Sequence, residues 1–336
     1  MSLLDGETRG RGMLRVCALC CVLALGAVLV ACGGGGGAGD RFPSEQIEII
    51  VPWDPGGGTD QTARQLASAA EETCGTNIIV SNQTGSTGAV GFQAAANAKP
   101  DGYTIGLATV EISMINHLGV AEVTPEDVRG VMQYNFDPAA ISVGADTDYR
   151  TIDDLISAAE SGENIRVGTS GTGSIWHVAF AGMAQEAGVA ENMTNVPFDG
   201  AAPAIQAVLG GQIEATSASG AEVLPQVESG DLRPLAVMAD ERLDILPDTP
   251  TLKEQGIDWT IGAWRGLVVP NDTPDDRVET LNRCFKEASE TEQFRQFMEK
   301  NGFGMQYKPA DEFEAFMDKE YERFGRIIES LDIKQQ

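Results

Sequence analysis

Histidine is nearly missing from this chain: His117 and His177 are the only two in 336 residues. Neither stands in an H-x-x-x-H pair and no C-x-x-C occurs after Cys32, so that part of the sequence offers no metal-ligand spacing. The G-x-S-x-G nucleophile elbow is also lacking, because Gly168-Thr169-Ser170-Gly171 runs on into Thr172. A hydrolase built on Ser170, His177 and an aspartate is therefore the weak competing reading. The glycine-rich turn Gly56-Gly57-Gly58 has neither the Lys-Ser/Thr ending of a P-loop nor G-x-G-x-x-G spacing, which gives phosphate cofactors little support, and no cofactor is expected. Cations are scarce, with 23 Lys and Arg against 50 Asp and Glu and a formal net charge of −27. Nucleic acid and anionic membrane surfaces would repel such a chain. The excess reads as a solubilising surface. It also opposes long-range capture of an anion, so any anion site has to win with donors at close range.

After the amino terminus no apolar stretch approaches the roughly 20 residues of a membrane helix. At the amino terminus Arg9, Arg11 and Arg15 precede the apolar run Val16 to Ala31, which has the layout of a secretory signal. The run ends in Leu29-Val30-Ala31-Cys32, which resembles the lipobox of bacterial lipoproteins, and Gly33 to Gly37 follow as a flexible tether. The expectation is a signal over 1–31, acylation of Cys32, a tether over 32–41 and an extracytoplasmic location, in the periplasm or on the outer face of the cytoplasmic membrane. An ordinary membrane helix that ends in Cys is the alternative. Met13 is a second candidate start, since Asp5 and Glu7 are unusual in a signal. Processing leaves Cys74 and Cys284, either bridged in an oxidising compartment or present as two buried thiols.

Short apolar runs then alternate with amphipathic helices. Strands are read at 47–53, 77–81, 103–109, 165–169, 195–198 and 213–217. Helices are read between them: one with Ala63, Leu66, Ala67 and Ala70 on one face, stopping before Gly75, then 88–98, 151–160 with a Thr151/Asp154 cap, 174–187 and 201–209. Two βα series imply two α/β lobes. The last third reads as helical, opening where Thr273 caps Pro274, and Phe313, Phe316, Met317, Tyr321, Phe324, Ile327, Ile328 and Leu331 form an apolar stripe read as core.

Three loops follow strands and precede helices. Pro52-Trp53-Asp54-Pro55-Gly56-Gly57-Gly58-Thr59-Asp60 lets backbone amides approach a ligand beside a helix N-terminus, which suits an anion. Asn82-Gln83-Thr84-Gly85-Ser86-Thr87-Gly88 and Thr169-Ser170-Gly171-Thr172-Gly173-Ser174 have the same character. In an open α/β sheet such loops lie on the ligand edge, and their hydroxyls and amides hold a carboxylate without an arginine. The first two loops also read as plain turns, whereas the third, with its hydroxyls and two glycines, reads less as mere connection.

Five ordered blocks carry a resemblance. They are Pro52 to Asp60, Asp101-Gly102-Tyr103-Thr104, Val196 to Ala204, Leu209-Gly210-Gly211-Gln212 and Leu246-Pro247-Asp248-Thr249-Pro250-Thr251. Together they resemble the Bug-type extracytoplasmic solute receptors, the binding subunits of tripartite tricarboxylate transporters, over roughly 42–331. The resemblance implies an α/β, two-lobed type II periplasmic-binding-protein fold, each lobe a mixed sheet flanked by helices, with the ligand in the cleft. The lobes are expected at 42–135 with 255–336, and at 136–254. It further implies a small carboxylate ligand, a monomer, and two permease partners, a large and a small integral membrane subunit. The ligand residues it points to are Gly57, Gly58, Thr59, Asp60, Ser86, Thr87, Thr109, Ser170, Thr172, Gly173, Ser174, Phe198, Asp199, Gly200, Ala201 and Ser219. Trp264-Arg265-Gly266 resembles the tricarboxylate-leaning branch, whereas Gln83-Thr84 and Trp176-His177 depart from many relatives. A sensory lipoprotein presenting ligand to a receptor kinase needs the same cleft and is the alternative output.

Overall fold

The structure, a computed structural model, describes residues 42–198 and 200–333. The expected signal, the lipobox Cys32, the tether and Asp199 lie outside the described residues. Among the described residues no helix is long and apolar enough to cross a membrane.

In chain order the strands and helices are β1 (Ile47–Val51), α1 (Gly58–Cys74), β2 (Ile78–Asn82), α2 (Ala89–Ala96), β3 (Thr104–Thr109), β4 (Val128–Gly144), α3 (Ile152–Glu160), β5 (Ile165–Thr169), α4 (Ile175–Glu186), β6 (Met193–Pro197), α5 (Ala201–Leu209), β7 (Ala215–Ser219), α6 (Gly220–Glu228), β8 (Leu232–Val237), β9 (Gly262–Pro270), α7 (Asp275–Ser289), α8 (Glu292–Lys300), β10 (Met305–Pro309) and α9 (Ala310–Leu331). The strand path is β2-β1-β3-β9-β4-β7-β5-β6, with β10 and β8 also pairing β4. β2, β1 and β3 run parallel, as do β6, β5 and β7, so each trio carries its loops at the carboxyl ends of its strands.

β4 connects the two trios. Up to Pro138 it pairs β9, and from Ala139 to Gly144 it pairs β7 and β8. Its seventeen residues and the nine of β9 were not read from the sequence, and neither were α6, β8 or β10. Both long strands are buried on both faces, so their apolar runs lack the alternation that marks a half-exposed strand. β7 begins two residues later than expected, because Glu214 turns aside to grip the Arg166 guanidinium and amide. The expected Thr273 cap is also corrected: Pro274 is the N-cap of α7, and the Thr273 hydroxyl donates to Pro270 O instead.

Elsewhere local chemistry acts as its spacing predicts. α1 stops at Gly75, which takes φ 70° as only glycine does cheaply. Thr151 and Asp154 form a reciprocal capping box on α3. Phe313, Met317, Phe324 and Ile328 of α9 are fully buried, and Trp264 of β9 meets Phe313 and Phe316 edge-on. Cys74 and Cys284 are bonded, tying the end of α1 to α7 across 210 residues of chain.

Candidate carboxylate site

The first loop is shaped by Asp60. Its carboxylate, 3% exposed, accepts from the Gly56 amide, from Arg64 and from Asn82 Nδ2, and Asn82 also donates to Trp53 O. Burial works against that charge, but the bonds from Arg64, Gly56 and Asn82 outweigh it and hold the carboxyl below its usual range. Asp60 therefore folds the loop over itself, joins it to the end of β2, and has no spare oxygen for a ligand.

What the loop offers outward is its backbone. α1 starts at Gly57 with no side-chain cap, so the amides of its first turn keep their hydrogen-bonding capacity. α5, at Gly200, likewise has no side-chain cap, although its Pro203 contributes no amide, whereas in α2 the Ala89 and Val90 amides already donate to Ser86 O and Gly85 O. The loop before α2 is strained as well: Gly85, Ser86, Thr87 and Gly88 all hold positive φ, with Ser86 at 48° and Thr87 at 54°. Side chains held there cost roughly 1–3 kcal/mol each and concentrate at functional loops.

By contrast α4 and α6 are closed by serines. Ser174 Oγ accepts the His177 amide, and Ser219 Oγ accepts the Glu222 amide while donating to its carboxylate. Ser174 and Ser219 are 5% and 1% exposed, which places both as helix caps. Thr109, another expected ligand residue, is also occupied, donating to Glu111 Oε2 at 2.5 Å and accepting from Trp53 Nε1 at 3.3 Å. Thr59, Ser86, Thr87, Ser170, Thr172, Phe198 and Gly200 retain exposed surface, whereas Ala201 is buried.

His177 holds the third loop. Its Nδ1 accepts from the Gly173 amide at 3.0 Å while the ring stacks on Phe180, and burial pushes its pKa down to about 4. Committed to Gly173 in this way, Nδ1 is not placed to take a proton from Ser170. The Phe198 amide donates to Thr169 O and joins the third loop to the end of β6.

The sequence reading missed the groups beneath these loops. Arg265 is 6% exposed and lies opposite Thr109 of β3 on one side and Asn135 of β4 on the other. Its Nε donates to Thr59 Oγ at 2.9 Å and its Nη1 to Asn135 Oδ1 and Asp137 Oδ2. Burial disfavours the cation, but Asp137, Tyr134 and Glu222 outweigh that and raise its pKa. Glu111 and Glu222 sit nearby. Burial pushes both carboxyls up, against hydrogen bonds from Thr109 and Ser219 respectively and against the pull of Arg265. Glu111, in the first series, faces the Ile175 amide at the start of α4, in the second. A usable signal was present in the sequence: a lone arginine inside the apolar run 261–270 has to be paired when that run is buried, and Asn135 and Asp137 interrupt 131–143 in the same way. Among the described residues no cluster of His, Cys, Asp and Glu is arranged to hold a metal.

Residues 62–333 match the tripartite tricarboxylate transporter family receptor. This chain belongs to that family. A UPF0065 protein from the TAR-I ttuE-ttuC' intergenic region of Agrobacterium vitis is 30% identical over 75% of this chain and 73% of its own. BugT of Bordetella pertussis is 28% identical over 88% and 92%. Among solved structures, a TctC solute-binding protein from Polaromonas, without ligand, is 37% identical with a TM-score of 0.74, covering 86% of this chain and 99% of that one. MatC from Rhodopseudomonas palustris, solved with malate, superposes at 0.76 with 25% identity over 85% and 100%. The fold of this receptor is thus the two-lobed periplasmic-binding-protein type, and the protein is a solute-binding receptor.

Proposed function

We propose that this receptor captures a small dicarboxylate or tricarboxylate outside the cytoplasmic membrane and delivers it to the large and small permease subunits of a tripartite tricarboxylate transporter. The observation that carries the reading is the pair of glycine-started helices without side-chain caps, α1 and α5, at the carboxyl ends of β1 and β6. Together they supply oriented amide donors without a cation at the surface, which is how an anion site wins inside a chain of net charge −27. α1 belongs to one strand trio and α5 to the other, so a ligand with a carboxylate at each end bridges them. The malate in MatC and the adipate in a second R. palustris protein, 25% identical with a TM-score of 0.78, are both such acids.

In this account lobe 1 comprises 42–135 with 255–336 and lobe 2 comprises 136–254, and β4 and β9 carry the chain between them. One carboxylate docks on the Gly57–Thr59 amides, and the loops at Ser170–Ser174 and Phe198–Ala201 close over the rest. Closure is driven by the ligand's higher affinity for the closed state. The receptor works as a monomer tethered by lipid at Cys32.

A thermal-shift panel of mono-, di- and tricarboxylates tests the ligand class. A ligand at a hundred times its Kd stabilises by about 2.7 kcal/mol, which raises the midpoint of a protein this size by about 4 °C. Flat midpoints across the whole panel contradict the reading. Metabolic labelling with an alkynyl fatty acid tests the anchor: label is expected on the wild type and absent from Cys32→Ser.

A further inference from the structure

The Arg265 guanidinium joins two places that the receptor reading leaves separate. On one side are Asp137 and Asn135 of β4, beside Pro138, where that strand leaves β9 and takes up β7 and β8. Asp137 is itself fixed: its Oδ1 accepts from the Gly304 amide at 2.8 Å and from Asn135 Nδ2 at 3.1 Å. On the other side is Thr59, in the first turn of α1, whose hydroxyl oxygen accepts the Arg265 Nε proton. Space around the guanidinium is tight, because a Cβ at Gly58 would lie 3.5 Å from Nη2 and 3.0 Å from the Phe303 ring.

The direction of the Thr59 bond matters. A hydroxyl has one hydrogen to give, and an oxygen that accepts from a guanidinium is left to donate that hydrogen elsewhere. A ligand oxygen at the outward side of this loop would take that hydrogen. We propose that Arg265 is a positioning residue that fixes Thr59 as an obligate donor to a ligand carboxylate oxygen and couples that contact, through Asp137, to the point where β4 changes sheets. The relay runs from Asp137 to Arg265 to Thr59 to ligand. Its last link rests on the carboxylate reading above, and the first two do not. With Asp137 in place the guanidinium is locked and the Thr59 rotamer with it. Removing the charge at 137 leaves a buried cation short of its partner, which then reorients and releases Thr59.

Two arms separate this relay from a merely structural ion pair, and both use the purified full-length protein. In the first, amide exchange at Gln61, whose bond to Gly57 O closes the first turn of α1, is followed without ligand. Asp137→Asn, which keeps the shape of the side chain, is expected to speed it about tenfold while β5 and β6 stay unchanged. Thr59→Val is expected to do the same, and the double variant to go no further. In the second arm, malate and adipate are the probes. Each single substitution is expected to weaken binding about tenfold, and the double variant to match the weaker single rather than multiply to a hundredfold. Multiplying effects, or Gln61 exchange unmoved by Asp137→Asn, overturn the relay. If the wild type binds no acid, the carboxylate reading fails on that result, and the exchange arm still decides the coupling between Asp137 and α1.

Discussion

His177 gives the most specific solution prediction. The imidazole is partly buried, stacks on Phe180 and accepts from Gly173, so only its neutral form fits, and its folded pKa falls to about 4 from an unfolded value of 6.5. Above pH 6.5 both states are neutral and the residue adds no pH dependence. As pH drops below 6.5, the unfolded chain takes up a proton that the folded chain refuses, and stability is lost until the folded ring also protonates near pH 4. A depression of that size corresponds to about 3 kcal/mol at 1.36 kcal/mol per pKa unit. Other carboxylates titrate in the same window, so the informative quantity is the difference from His177→Asn, which keeps an acceptor near Nδ1 but cannot be protonated. Urea unfolding at half-unit steps from pH 7.5 to 3.5 is expected to show the wild type losing about 3 kcal/mol relative to the variant, with all of the difference arising below pH 6.5. Parallel profiles would refute the placement of a neutral, buried ring.

Gly58→Ala puts a methyl group 3.0 Å from Phe303 and beside Arg265, and is expected to lower acid affinity roughly tenfold by calorimetry while leaving the far-ultraviolet dichroism spectrum intact. Thr87→Gly relieves a side chain held at φ 54° and is expected to raise unfolding free energy by about 1 kcal/mol in urea. A loss of stability there would show that the loop is not strained. Replacing both Cys74 and Cys284 by alanine opens a loop of 210 residues, worth about 5 kcal/mol by chain entropy, and is expected to lower the calorimetric midpoint by about 8 °C.

The two βα series were legible because each element announces itself locally. Gly75 stops α1, Thr151 and Asp154 start α3, and the apolar runs of β1 and β5 fall where strands form. β4 and β9 were not legible for the converse reason: a strand buried on both faces has no alternation, and what marks it is the polar residue that interrupts it. The site divides along the same line. Glycine loops follow from backbone chemistry and could be placed by position alone. Which hydroxyls remain available depends on partners both near and far along the chain. Thr109 is taken by Glu111, Ser174 and Ser219 by their helices, and Thr59 is directed by an arginine 206 residues away. The Ser219-x-x-Glu222 box is a local spacing, but the Arg265–Thr59 pairing leaves no trace in sequence spacing. The expectation that the carboxylate needs no arginine overlooked the buried Arg265 guanidinium behind the first loop.

The most direct test of the account is isothermal titration of the purified receptor with the dicarboxylate or tricarboxylate that raises its midpoint most, set beside Thr59→Val. One site per chain, with affinity about tenfold weaker in the variant, is the predicted result. Binding of equal strength in both proteins, or no heat with any of these acids, would contradict the assignment of the first glycine loop as the carboxylate cradle.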